Sequence, residues 1–185
     1  MALKTGDKAP DFASTDQDGK TVKLKDLKGK KVVLYFYPRD MTPGCTAEAC
    51  DLRDNYKVFQ KKGYEILGVS TDDEKSHRNF IEKQNLPFRL LADTEKKLHK
   101  AYGTWVEKSL YGRKYMGTAR ITFVIDENGI LENIIEKVDT KNHAAQILEN
   151  KAPKPATKKK TTAKKKAVAK KKTAPKKKAA RKARK

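Results

Sequence analysis

The stretch from Val32 to Cys50, V-V-L-Y-F-Y-P-R-D-M-T-P-G-C-T-A-E-A-C, constrains this chain more than any other. Val32 to Tyr37 is an unbroken β-branched and aromatic run, the pattern of a strand buried on both faces. Pro38 ends it. Thr42 is placed to cap a helix by accepting the amide of Cys45, and Pro43 suits the first helical position because it has no N–H to leave unpaired. Cys45 therefore falls in the first turn, where free amides and the positive end of the helix dipole favour a thiolate. Cys45, Ala49, Leu52, Tyr56 and Phe59 follow at spacings of four, three, four and three, so they share one helix face, which is predicted to turn toward the core. Cys50 lies off that stripe. Residues five apart on an α-helix have Cα atoms roughly 8.7 Å apart, beyond the ~7 Å limit of a disulfide. The two cysteines can bond only if this turn unwinds.

The rest of the chain supplies more strands and helices in alternation. D-Q-D-G between Phe12 and Val22 reads as a hairpin turn, with Asp7 and Asp18 as solvated turn residues. Gly63 closes the cysteine helix and Glu65–Val69 forms a second buried strand. S-T-D-D-E begins a helix to about Lys83, with Ser70, Thr71 or Asp72 as its cap. Phe88–Ala92 is a third strand, and Asp93-Thr94 caps a short helix to Tyr102. Gly103–Gly117 reads as a loop with some strand character. Ala119–Ile125 is a fourth strand, Asn128-Gly129 a hairpin turn, Ile130–Val138 the returning strand, and Thr140 opens a last helix ending near Asn150. This order predicts a thioredoxin-like α/β fold, a three-layer sandwich around a central mixed sheet.

Charge divides the chain in two. Of its 44 Lys and Arg residues, 18 lie from Lys151 onward with no acidic residue, so residues 1–150 hold 26 basic against 23 acidic side chains, a net +3 of the total +21. The expected organisation is a folded domain over residues 1–150 and a disordered basic tail over 151–185. The tail carries lysine triplets at Lys158, Lys159 and Lys160, at Lys164, Lys165 and Lys166, at Lys170, Lys171 and Lys172, and at Lys176, Lys177 and Lys178. Their period of six advances a helix by about 600°, so no single stripe forms. A polycation of this density is expected to bind DNA or RNA by counterion release, without aromatic stacking to read bases. A solubilising extension is the plainer reading. No apolar run reaches the ~18 residues of a membrane span, and Met1–Phe12 lacks a signal-peptide core. These features point to a cytoplasmic protein, associated with the nucleoid if the tail binds DNA, or nuclear in a eukaryote. Two cysteines in such a setting suit redox chemistry better than a structural staple. Their spacing does not match the C-x-x-C of thioredoxin-like oxidoreductases, nor usual metal-ligand spacing. His77, His99 and His143 are scattered singly and are expected to be surface or satisfied residues. No cofactor is expected.

Pro38, Thr42 and Cys45 read P-x-x-x-T-x-x-C, which resembles the peroxidatic motif of peroxiredoxins. P-G-C-T-A-E-A-C at Pro43–Cys50, with E-K-S-L-Y-G-R-K-Y-M-G and R-I-T-F-V-I-D further on, is similar to the bacterioferritin-comigratory, or PrxQ, subgroup across about residues 4–149. The tail resembles the lysine/alanine-rich tails of linker-histone-like proteins. The resemblance implies a thiol-dependent peroxidase acting on hydrogen peroxide and organic hydroperoxides, with Cys45 as peroxidatic cysteine. It implies that Thr42 meets the peroxide, that Pro38 shields the sulfur, and that Arg120 gives the thiolate and transition state a fixed positive charge. Ile121 stands where the family more often has Ser or Thr, which puts the surroundings of Arg120 in question. Cys50 matches the resolving cysteine, implying an intramolecular disulfide, regeneration by thioredoxin or a similar dithiol protein, and a monomer. Trp105, Tyr111, Tyr115 and Met116 either line the peroxide entrance or simply pack, and Glu48 either orients the active-site loop or lies on a solvated face. The competing functional class is a nucleic-acid-binding or compacting protein whose peroxiredoxin-like domain is a secondary redox sensor.

Overall fold

The computed structural model describes residues 3–149. The basic tail, including every lysine triplet named above, and the expected helix end at Asn150 lie outside those residues. Five strands form the centre: β3 (Lys31–Phe36), β4 (Tyr64–Ser70), β5 (Arg89–Ala92), β8 (Ile121–Ile125) and β9 (Leu131–Ile135). The β1 (Ala13–Asp16) and β2 (Thr21–Lys23) hairpin extends this sheet, giving the order β2-β1-β5-β4-β3-β8-β9. β3, β4 and β5 run parallel, whereas β8 joins β3, and β1 joins β5, antiparallel. The sheet is thus mixed, as its element order implied, and the N-terminal hairpin covers an edge by pairing with β5.

Strand alternation sorts the core into two faces. Val33, Tyr35 and Tyr37 pack with Cys45, Ala49, Leu52, Phe59, Phe80, Ala144 and Ile147. These come from α1 (Pro43–Asp54), α2 (Tyr56–Lys61), α3 (Glu74–Gln84) and α5 (His143–Leu148). Val32, Leu34 and Phe36 point the other way, onto Ala9, Phe12, Leu24 and Leu27 and onto Leu98 and Tyr102 from α4 (Lys97–Ala101) and the turn after it. Helices on both faces of one sheet make the three-layer sandwich. Ile121 packs against this second face with Phe36 and Phe123, whereas Cys45 belongs to the first.

Several local expectations are corrected. The cysteine helix breaks at Asn55, whose side-chain amide donates to Asp51 O (2.9 Å) and competes with the helical ladder. α3 is capped by Asp73, whose carboxylate accepts Ser76 N at 2.8 Å. Ser70 and Asp72 are instead hydrogen-bonded to each other (2.9 Å). α4 begins only at Lys97, because Lys96 adopts φ 60°. α5 begins at His143 rather than Thr140, since Asn142 N is turned back onto Asp139 O. Gly103–Gly117 contains a regular hairpin, β6 (Trp105–Leu110) paired with β7 (Arg113–Thr118) through a Tyr111-Gly112 turn in which both residues have positive φ. Tyr at a position that favours Asn or Gly is what hid this turn.

Candidate active site

The site forms where β3 hands over to α1. The loop between them is anchored by Asp40, which accepts Tyr37 Oη and Ser76 Oγ at 2.7 Å each and lies 2.9 Å from His77 Nδ1. Its own amide donates to Asp72 Oδ2 at 2.8 Å. Burial would raise the Asp40 pKa, but these donors, His77 first, hold it below the usual carboxylate value. The chain then turns through Met41 at φ 60° and enters α1 with Thr42 at the N-cap and Pro43 next.

Thr42 does not cap as expected. Its hydroxyl donates to Arg39 O at 3.1 Å, because the left-handed turn at Met41 brings that carbonyl over it. The first helical bond is Thr46 N to Thr42 O, so the amides of Gly44 and Cys45 precede the ladder and have no intrahelical acceptor. That leaves them available to an anion at the helix start.

Cys45 is 1 % exposed, and Arg120 Nη2 lies 3.2 Å from its sulfur. Arg120 immediately precedes β8, and its Nη1 is paired with Glu48 Oε2. Burial would loosen the guanidinium proton, but Glu48 and Cys45 more than offset this, and the Arg120 pKa is raised. One fixed cation thus serves two acidic groups one helical turn apart. Gly44 lies alongside this guanidinium, where a Cβ would make ordinary contact with Arg120 Nη2 at 3.4 Å.

Glu48 is fully buried, which excludes the solvated face, and its carboxylate meets Arg120 and His143 rather than the loop ahead of α1. Burial pushes its pKa up to about 7, with Arg120 pulling the other way. Behind it stands His143 of α5, also fully buried, with Nδ1 3.2 Å from Glu48 Oε1 but not aligned for a hydrogen bond, and Nε2 2.9 Å from Thr122 Oγ1. Burial, then Arg120, depress the His143 pKa to about 3, so this imidazole is neutral. His77 and His99 are likewise buried and partnered, the latter between Asp93 Oδ2 (2.7 Å) and Thr118 Oγ1 (3.0 Å).

Glu48, three residues after Cys45 and so near it on the helix, was noted in the sequence but its burial was not foreseen. Nothing local announced His143, Thr122 or Lys108. Lys108 donates to Thr118 O, and its pKa is lowered by burial and by Arg120. It lines a groove of about 500 Å³ with Pro38, Arg39, Trp105, Tyr115 and Met116. Three of the four suspected entrance residues therefore share a groove with Pro38. Tyr111 does not, being 98 % exposed at the hairpin tip. A separate cavity of about 380 Å³ lies at the opposite end of β3, against Lys8, Leu24, Val32 and Ile125, with none of the site residues.

Cys50 sits elsewhere on α1, partly buried, with its thiol 3.5 Å from Gln84 Oε1. Both cysteines are free thiols. The structure thus brings Cys45 and Arg120 into contact, with Thr42 and Pro38 on the adjoining loop, and leaves Cys50 apart. No helix among the described residues is long and apolar enough to cross a membrane.

Comparisons with known proteins identify the family and the fold. The AhpC/TSA family model matches residues 5–134. The chain is 50% identical over 149 residues to peroxiredoxin Bcp of Bacillus subtilis (strain 168), covering 80% of this chain and 95% of that one. It is 45% identical over 146 residues to peroxiredoxin Bcp of Escherichia coli (strain K12), covering 79% and 94%. Among solved structures, the Xanthomonas campestris bacterioferritin comigratory protein, studied for its alkyl peroxide reduction activity, superposes with a TM-score of 0.72 at 36% identity, covering 75% of this chain and 88% of its own. Peroxidoxin BcpB of Mycobacterium tuberculosis gives 0.71 at 36%, covering 80% and 95%. With a helix-start thiol against a half-buried arginine on this fold, the chain belongs to the AhpC/TSA family and, within it, to the Bcp/PrxQ peroxiredoxins, which are thiol-dependent peroxidases.

Proposed function

We propose that this enzyme reduces hydrogen peroxide and organic hydroperoxides through Cys45 and resolves the product with Cys50. The observation that carries this reading is the 3.2 Å contact between Arg120 Nη2 and Cys45 Sγ at the start of α1. The Cys45 thiolate attacks the terminal oxygen of ROOH. The O–O bond breaks, Cys45 becomes a sulfenic acid, and RO⁻ leaves and takes up a proton. Arg120 and the open amides of Gly44 and Cys45 stabilise the charge as it moves from sulfur to the leaving oxygen. Thr42 orients the peroxide and Pro38 keeps water from the sulfur. The groove of Trp105, Tyr115 and Met116 supplies apolar walls for an alkyl group, in keeping with the alkyl peroxide activity studied in the Xanthomonas relative.

The sulfenic acid then condenses with the Cys50 thiol, releasing water and forming a disulfide, after α1 has unwound enough to bring the sulfurs together. A thioredoxin-type dithiol reduces that disulfide by exchange, so two electrons from the dithiol end up in one peroxide. A cytoplasmic setting suits two thiols that must be re-reduced at each turnover. The domain over residues 1–150 is sufficient for this chemistry, and the tail over 151–185 holds the enzyme near nucleic acid through the lysine triplets. In Cys50→Ser, one equivalent of peroxide still oxidises Cys45, but thioredoxin-linked turnover falls at least tenfold and the sulfinic acid accumulates by mass spectrometry. Unchanged turnover in that variant would refute the assignment of Cys50.

A further inference from the structure

Disulfide formation requires part of α1 to unwind, and the contacts of the two ends decide which part gives way. The end before Cys45 is pinned: Pro43 stiffens it, and the loop ahead of it is tied down through the four contacts of Asp40 to Tyr37, Ser76, His77 and Asp72. The end carrying Cys50 is held by packing, with Ala49 and Leu52 fully buried on either side of it, and by a few polar ties that must be released for Cys50 to move. Cys50 touches Gln84 Oε1 only at 3.5 Å, and Arg53 Nη1 donates to Gln84 O at 2.7 Å. Asp51 adds a tie to a different element: its Oδ2 accepts the amide of Ala144 at 2.6 Å, while its carbonyl accepts Asn55 Nδ2 at 2.9 Å.

That tie serves two helices at once. Ala144 is the second residue of α5, and the N-cap residue of α5, Asn142, makes no side-chain cap hydrogen bond. Asp51 of α1 therefore performs the capping role for α5 from outside it. Glu48 and His143 adjoin the same seam. When Cys50 swings toward Cys45, its neighbour Asp51 is carried off the Ala144 amide, and α5 loses its cap in the same motion.

We propose that Asp51 is a positioning residue for the resolving step, latching the Cys50 end of α1 to α5 so that formation of the Cys45–Cys50 disulfide releases the start of α5. The inference rests on the assignment of Cys50 as the resolving thiol. In the step itself Cys45–S–OH and Cys50–S–H give the disulfide and water, and Asp51 exchanges no proton. The latch sets how long the sulfenic acid persists before it is resolved.

The test compares amide hydrogen exchange of Ala144–Leu148 in the full chain, reduced and after one equivalent of hydrogen peroxide or of diamide. Diamide makes the disulfide without peroxidase chemistry. Loss of protection in the disulfide form is expected with either oxidant. A disulfide that leaves those amides as protected as before overturns the latch alone, because unwinding is then confined to the first turn of α1. Failure of both oxidants to make the disulfide overturns both the latch and the role of Cys50. The exchange measurement needs no variant. In addition, Asp51→Ala should speed conversion of sulfenic acid to disulfide about twofold to thirtyfold, the range set by loss of one helix cap. Asp51→Asn, which keeps an acceptor oxygen, should fall between the two. Equal resolving rates in all three proteins would contradict the proposal.

Discussion

Glu48 and His143 form a buried pair whose titrations oppose each other. The Glu48 pKa is raised from 4.5 to about 7, so the unfolded chain gives up this proton first and stability falls as pH rises from about 4.5 to about 7. The His143 pKa is lowered from 6.5 to about 3, so the unfolded chain binds this proton first and stability falls as pH drops from about 6.5 to about 3. In the wild-type protein the two slopes largely cancel between about pH 4.5 and 6.5. Replacing His143 with Gln should unmask the Glu48 slope, a loss of about 3 kcal/mol between pH 4.5 and 7 at ~1.4 kcal/mol per unit. Urea denaturation of His143→Gln and Glu48→Gln across that range checks it, and parallel stability profiles for both variants and the wild type would contradict it. Cys45 was legible because its surroundings are local, a Pro/Thr/Pro/Gly turn before a helix, whereas Arg120 was singled out only by the resemblance to the peroxiredoxins. His143 was not, because it reaches Glu48 across 95 residues of chain and carries no motif of its own.

At the scale of elements, packing under α1 limits what the sheet can hold. Gly68 in β4 lies beneath Tyr35 and Leu90, and a Cβ there would fall 2.5 Å from Leu90 Cδ2 and 2.7 Å from Tyr35 Cζ and Oη. Gly68→Ala should therefore destabilise the domain by about 1–3 kcal/mol through overpacking, despite the usual gain in strand propensity. Thermal unfolding would show it as a lower Tm, and an unchanged or higher Tm would count against this packing. Strands with unbroken apolar runs and the Asn128-Gly129 turn were readable from pattern alone. The β6–β7 hairpin was not, since Tyr111 fills a left-handed position and the strands are largely exposed, leaving little apolar alternation. The break at Asn55 was equally silent. It comes from one side-chain hydrogen bond to Asp51 O, while the stripe from Cys45 to Phe59 runs on across it.

For the whole molecule, charge divides the sequence in two. The +3 of residues 1–150 gives the domain little general attraction for polyanions, whereas the 18 basic side chains beyond it carry no compensating acid. The Bacillus and Escherichia relatives are matched over 95% and 94% of their own length by about 80% of this chain. A basic extension is thus an addition to a domain that is complete in those proteins. Truncation after Asn150 should leave peroxide reduction and Tm unchanged while abolishing DNA retention in low salt. The full chain should lose affinity steeply as salt rises, with a log–log slope of several units. Equal retention of both forms on duplex DNA would remove the tethering role.

Whether Cys45 and Cys50 form one redox pair is tested most directly by stopped-flow fluorescence of the reduced protein mixed with one equivalent of hydrogen peroxide, followed by mass spectrometry. Trp105 lines the groove beside Pro38 and so reports on that region. Two phases are predicted, a peroxide-dependent one for Cys45 oxidation and a peroxide-independent one for resolution, ending in a Cys45–Cys50 disulfide. A single slow phase, or a product in which Cys50 remains a free thiol, would contradict it.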